Sequence, residues 1–99
     1  MLDSAKSEDF TLYLNQNFCI HLDGGEPILL ELESVLEAIP TAHSGSIRPF
    51  SIYFLGPAGP QYLLQHIYRL EHDQLGVLDV FLVPLGLQNG RMRYEAVFN

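Results

Sequence analysis

The stretch that most constrains this chain is Asn89-Gly90 and the eight residues behind it, RMRYEAVF. Asn-Gly suits the positive-φ positions of a two-residue hairpin turn. The alternation that follows is that of a strand with one buried face. It turns Met92, Tyr94, Ala96 and Phe98 inward and Arg91, Arg93 and Glu95 outward. The segment before the turn, VLDVFLVPLG, is apolar on both faces, with Val80 and Leu82 on one and Val77, Phe81 and Val83 on the other. Such a run belongs in the middle of a sheet or between layers. One hairpin cannot bury its apolar face alone, so further strands are required.

Four other segments supply them. FCIHL, ILLELESVLEAI, SIYFL and QHIYRLEH show period-two patterning, separated by the turn-forming clusters DGGEP, PTAHSGSIRP and DQLG. In residues 28–39, Ile28, Leu30, Leu32 and Leu36 share one strand face, and Glu31, Glu33 and Glu37 the other. Leu29, Leu32 and Leu36 also fit helical spacing; the preceding DGG turn and Pro40 favour a strand. GPAGP at 56–60 reads as a rigid surface turn that cannot continue a central strand. It is not a phosphate loop, because its prolines lack N–H donors and no lysine follows.

The N-terminal part differs. Residues 1–6 read as a tail. Ser7 can cap a short helix with Glu8 and Asp9 at its positive end, and Phe10, Tyr13 and Leu14 recur at helical spacing. Asn15 tolerates a left-handed stop. The expected fold is mainly β: a single domain over residues 1–99, with about six mostly antiparallel strands forming a small barrel, half-barrel or sandwich, and a short N-terminal helix. The terminal strand RMRYEAVF is the expected sheet edge.

Charge narrows the function. Twelve acidic residues against five Lys and Arg give a net charge of −7. Binding to nucleic acid rests on Lys and Arg neutralising phosphates, so no nucleic-acid partner is expected. The same balance opposes docking on anionic membranes. No apolar run approaches the roughly 18 residues of a membrane helix, and the first ten residues do not form a signal peptide. A cytoplasmic domain is expected. Cys19 is the one cysteine; between Phe18 and Ile20 it reads as a small buried thiol.

Residues 66–73, HIYRLEHD, are the densest cluster of chemical side chains. On a strand His66 and His72 share a face but lie roughly 20 Å apart at the usual rise, too far for one metal ion. A metal site would need a further ligand such as His43 or His21. Arg69 and Glu71 read as a weak pair on a wet face, with His72 and Asp73 beginning a turn. Glu31 and Glu33 read as a solvated face. Asp79 interrupts an apolar strand, and facing the core it would need Arg91 or Arg93. The expectation is therefore no catalytic, cofactor-binding or metal-binding residue.

FLGPAGP, YRLEHDQLG, FLVPLG and the terminal RYEAVFN together resemble a family of small bacterial domains of unknown function, close to this chain in length. The opening EDF and NF phrases fit too, although the family more often has glycine at or near Asn15. The resemblance implies a compact bacterial domain, brings no activity or cofactor, and associates such domains with phage-tail-like or other particle assembly. The expected role is a non-enzymatic protein-interaction or assembly module. Tyr53, Tyr62, Leu63 and Leu64, beside the proline-rich turn, form the candidate partner surface, because aromatic residues are enriched at interface cores. The partner is another protein or a second copy. The alternative is a small-ligand barrel or an enzyme, marked by a pocket in which His21, His66 or Asp79 converge.

Overall fold

The computed structural model describes residues 6–22, 25–37 and 49–98. The chain forms a short helix α1 (Ser7–Thr11) and strands β1 (Asn17–Ile20), β2 (Ile28–Glu37), β3 (Phe50–Ala58), β4 (His66–His72), β5 (Gly76–Gln88) and β6 (Arg91–Phe98). They close into an antiparallel barrel in the order β1-β2-β3-β6-β5-β4. The mainly β, mostly antiparallel expectation holds, and the sheet closes. Inward residues of every strand meet in one core, including Phe18, Leu30, Ile52, Phe54, Leu70 and Leu82. Among the described residues, no helix is long and apolar enough to cross a membrane.

Closure overturns the expectation of a terminal edge. β6 lies between β3 and β5 and pairs with both. The sequence ends there, but the sheet does not, because order in a barrel is set by non-local pairing.

β2 is a strand, and its face assignment changes midway. Leu32 pairs with Phe54 but Ser34 pairs with Tyr53, so Glu33 is an extra residue in a β-bulge. Beyond it the alternation reverses. Leu36, expected inside, is 62% exposed, and half-buried Val35 takes the inner position opposite Ile52. Glu37 lies opposite buried Phe50, and its carboxylate accepts the Ser7 hydroxyl.

GPAGP is also corrected. β3 continues through Gly56 and Pro57 to Ala58 although it is a central strand. A shift in its pairing with β6 between Leu55 and Ala58 accommodates the proline. Arg91 serves the displaced backbone, donating through Nε to the Gly56 carbonyl (2.7 Å) and through Nη2 to that of Leu55 (3.3 Å). Pro84 likewise sits where the β5–β6 register shifts.

α1 covers one end of the barrel. Phe10 is fully buried against Phe50 and Phe98, whose rings stack at 4.7 Å. The residue preceding the helix is Lys6, not Ser7: its N–H donates to the Asp9 carboxylate at 2.9 Å, and the Asp9 N–H returns to its carbonyl. Asn15 adopts φ 68°, the left-handed conformation that glycine takes without strain and asparagine tolerates, as expected of a left-handed stop. Residues 1–5, Asp23, Gly24 and most of the 40–49 loop, with His43, lie outside the described residues.

Candidate functional site

The topology singles out one connection. On the ring of six strands, β3 and β4 stand diametrically opposite. The chain between them, residues 59–65, must therefore cross the barrel end opposite α1. It carries no regular structure of its own, so its backbone groups need partners from elsewhere. Two tyrosines supply them. The Leu63 N–H donates to the Tyr94 hydroxyl at 2.8 Å, and the Tyr68 hydroxyl donates to the Leu64 carbonyl at 2.6 Å.

These bonds set the direction of neighbouring side chains. Leu63 turns down into the core at 9% exposure, whereas Tyr62 and Leu64 on either side are 52% and 69% exposed. Of the four residues expected to form a partner surface, the strap thus displays two and anchors itself with a third. Tyr53 is elsewhere, half-buried on the outer wall of β3. Its hydroxyl donates to Glu95 at 2.8 Å and the Arg93 guanidinium lies 4.1 Å over its ring. The Glu95 carboxylate beside it raises the Tyr53 hydroxyl above its ordinary value.

Beneath the strap lies a hollow of about 520 Å³, lined by Leu22, Ile28, residues 57–63 and Tyr94. Its floor is Tyr94, only 2% exposed. Burial, opposed by the Leu63 N–H, pushes its hydroxyl above the usual value of 10, so it keeps its proton at neutral pH. Gly56 makes room for this ring: a Cβ there would stand 3.0 Å from a Tyr94 ring carbon. His21, His66 and Asp79, the trio that would mark a chemically active pocket, do not line the hollow.

HIYRLEHD does not act as one unit. His66 is exposed at the strap end of β4, edge-on to Tyr68. His72, expected to begin a turn, is the last residue of β4 and 8% exposed. Its Nδ1 accepts the Gln74 and Leu75 N–H groups at 3.1 and 3.3 Å, which leaves the hydrogen on Nε2, facing Gln16 Oε1 at 2.8 Å. Its ring packs against Tyr13 and Phe18. The cluster's one buried imidazole thus ties a turn to the core.

The exposed charges pair across strands. Arg69 meets Asp79 at 3.3 Å, not Glu71, and Asp79 faces outward. Arg91 meets Glu31 at 2.9 Å and Arg93 meets Glu33 at 2.7 Å. Glu33 also accepts from Gln88 at 3.0 Å, and these bonds, Arg93 first, hold its carboxyl below the ordinary 4.5. Val77 and Phe81, read as buried from the two-sided apolar run, remain 50% and 48% exposed, because the outer face of a barrel has no second layer over it.

Sequence reading missed one grouping. Cys19 is half-exposed, its sulfur is 3.4 Å from His21 Nε2, and that nitrogen is 3.8 Å from Glu71. The signal was present: residues two apart on a strand share a face. Burial first, and the Glu71 charge second, raise the Cys19 thiol above 9.0 and so favour its protonated form. Among the described residues no three of His, Cys, Asp and Glu are arranged to hold a metal ion.

A closed six-stranded antiparallel barrel, with one end covered by a helix and the other crossed by a tyrosine-pinned strap, defines a small β-barrel domain. More specifically, the chain belongs to the family described as a domain of unknown function (DUF6916), whose model matches residues 5–98. No curated protein and no solved structure matches it.

Proposed function

We propose that this domain is a non-enzymatic protein-interaction module whose strap, residues 59–65, presents Tyr62 and Leu64 to a protein partner. The observation that carries this reading is the rigid display. Two tyrosine hydroxyls hold the backbone of a segment that exposes two large side chains with no role in the core. Preorganisation of this kind lowers the ordering cost of binding. Closure adds a second support: β6 offers no free edge for pairing, so contact through side chains is favoured over strand addition.

The partner is another protein or a second copy, in a soluble, cytoplasmic setting, and a phage-tail-like or other particle is the setting we favour for such a module. Nucleic acid is not proposed, because the net charge is −7. The described lining of the hollow includes none of His21, His66 and Asp79, the residues whose convergence the enzyme alternative calls for.

The test is affinity capture from a lysate of the source organism with wild type, Tyr62→Ala and Leu64→Asp, each checked by thermal melting. One stoichiometric partner that both variants lose at unchanged melting temperature is expected. Equal recovery by all three proteins, or unfolding of both variants, counts against the strap as the contact surface.

A further inference from the structure

The underside of the strap is chemically distinct from its outer face. Among the described residues the hollow has no charged lining residue, on a protein of net charge −7. Its walls are Leu22, Ile28, Pro57, Pro60 and Tyr62, and its volume of about 520 Å³ falls within the roughly 300–1,000 Å³ of small-molecule pockets.

The floor adds a directional group. Tyr94 is nine-tenths buried or more, and its oxygen already accepts the Leu63 N–H. A hydroxyl has one hydrogen to donate besides its accepting lone pairs. Among the described residues that hydrogen meets no acceptor, because the Tyr94 oxygen takes part only in the Leu63 bond. Among the described residues, the floor of the hollow therefore holds a buried donor whose hydrogen meets no protein acceptor. The chemistry that matches is an acceptor oxygen on an apolar body. A carboxylate matches less well, since its charge would be desolvated with no cation to meet it.

We propose that the hollow beneath the strap binds an uncharged, ring-sized, mainly apolar small molecule whose carbonyl or ether oxygen accepts a hydrogen bond from Tyr94. The proposal goes beyond the partner reading: the two share Tyr62, which lines the hollow, but Leu64 belongs to the partner reading alone and Tyr94 to the ligand reading alone. The walls supply the apolar burial, the Tyr94 hydroxyl fixes orientation, and the uncharged side chains of the described lining favour neutral ligands.

Acetophenone, toluene and benzoate serve as probes: one ring with a neutral acceptor, with none, and with a charged one. The full chain, labelled with ¹⁵N, is titrated with each. The expected result is a saturable shift of the amides of Ala58, Gly59, Gln61, Tyr62 and Leu63 with acetophenone. Toluene binds about three- to tenfold more weakly, the range of one net hydrogen bond, and benzoate gives no saturable shift. Ala58→Trp and Gln61→Trp, both at exposed rim positions, abolish the acetophenone shift while the rest of the spectrum stays in place. Tyr94→Phe, if folded by the same spectrum, binds acetophenone and toluene equally. Shifts that fail to saturate, benzoate binding as tightly as acetophenone, or undiminished binding by both folded rim variants would overturn the proposal. The wild-type comparison of three probes decides the matter even if every variant is poorly folded.

Discussion

At Tyr94 one side chain meets several structural demands. Its ring occupies the space left by the missing Cβ of Gly56, and its oxygen holds the strap through Leu63. Replacing it with phenylalanine keeps the ring and strands a buried N–H, which costs roughly 1–3 kcal/mol. Thermal melting of Tyr94→Phe should show that loss. Tyr68→Phe should show less, because its bond to Leu64 is exposed and water can replace it. Equal losses would mean that Leu63 finds another acceptor. Gly56→Ala should also destabilise, by roughly 1–3 kcal/mol, since the added Cβ would stand 3.0 Å from a ring carbon of the buried Tyr94; an unchanged melting temperature would refute the close approach. Glu33 gives a pH-dependent case. Its folded pKa is depressed below 4.5 by Arg93 and Gln88, so the stability it contributes is present above 4.5 and lost as pH falls through the depressed value. Wild type should be more stable than Glu33→Gln at neutral pH, by about 1 kcal/mol or less for a partly exposed pair, read as a higher melting temperature. The gap should close on acidification below 4.5, and a constant gap would remove Glu33 from the ledger of acid sensitivity.

At the level of elements, legibility followed locality. All six strands were readable, because alternation and turn chemistry are written in neighbouring residues, as RMRYEAVF behind Asn-Gly shows. The bulge at Glu33 was not: nothing local marks the extra residue, and it is recognised only when Leu32 and Ser34 find successive partners on β3. The passage of β3 through Pro57 was hidden for a similar reason, since the carbonyls it displaces are satisfied by Arg91, 35 residues away. The candidate site was half legible. Tyr62 and Leu64 stood out as large side chains beside prolines, but burial of Leu63 between them depends on Tyr94, 31 residues on. Pairing also predicts where the barrel opens. β1 joins β4 only at Cys19–Glu71 and Ile20–Leu70, whereas β6 is paired along most of its length on both sides. In native-state hydrogen exchange, β1 amides facing β4 should exchange well before those of β6. Equal protection in the two strands would show that the barrel opens only as a whole.

The whole molecule sets how it can associate. A sheet with free edges carries unpaired N–H and C=O groups that template pairing with another copy, and proteins with such edges guard them with charge, proline or short strands. Here β6, with apolar residues at every second position, would be a hazard at an edge. Its place between β3 and β5 removes that hazard, because both sets of backbone groups face partners in the same chain. What remains for association is side-chain surface, to which the strap contributes Tyr62 and Leu64 and the outer wall Ile67, Phe81 and Leu87. Amide spectra at low and high protein concentration separate the two routes. The β6 amides should be independent of concentration, and any dependence should fall on residues 59–65 and vanish in Leu64→Asp. Concentration-dependent shifts along the β6 backbone would mean that the barrel opens and exchanges strands, in which case the exposed side chains of the strap are bystanders to assembly.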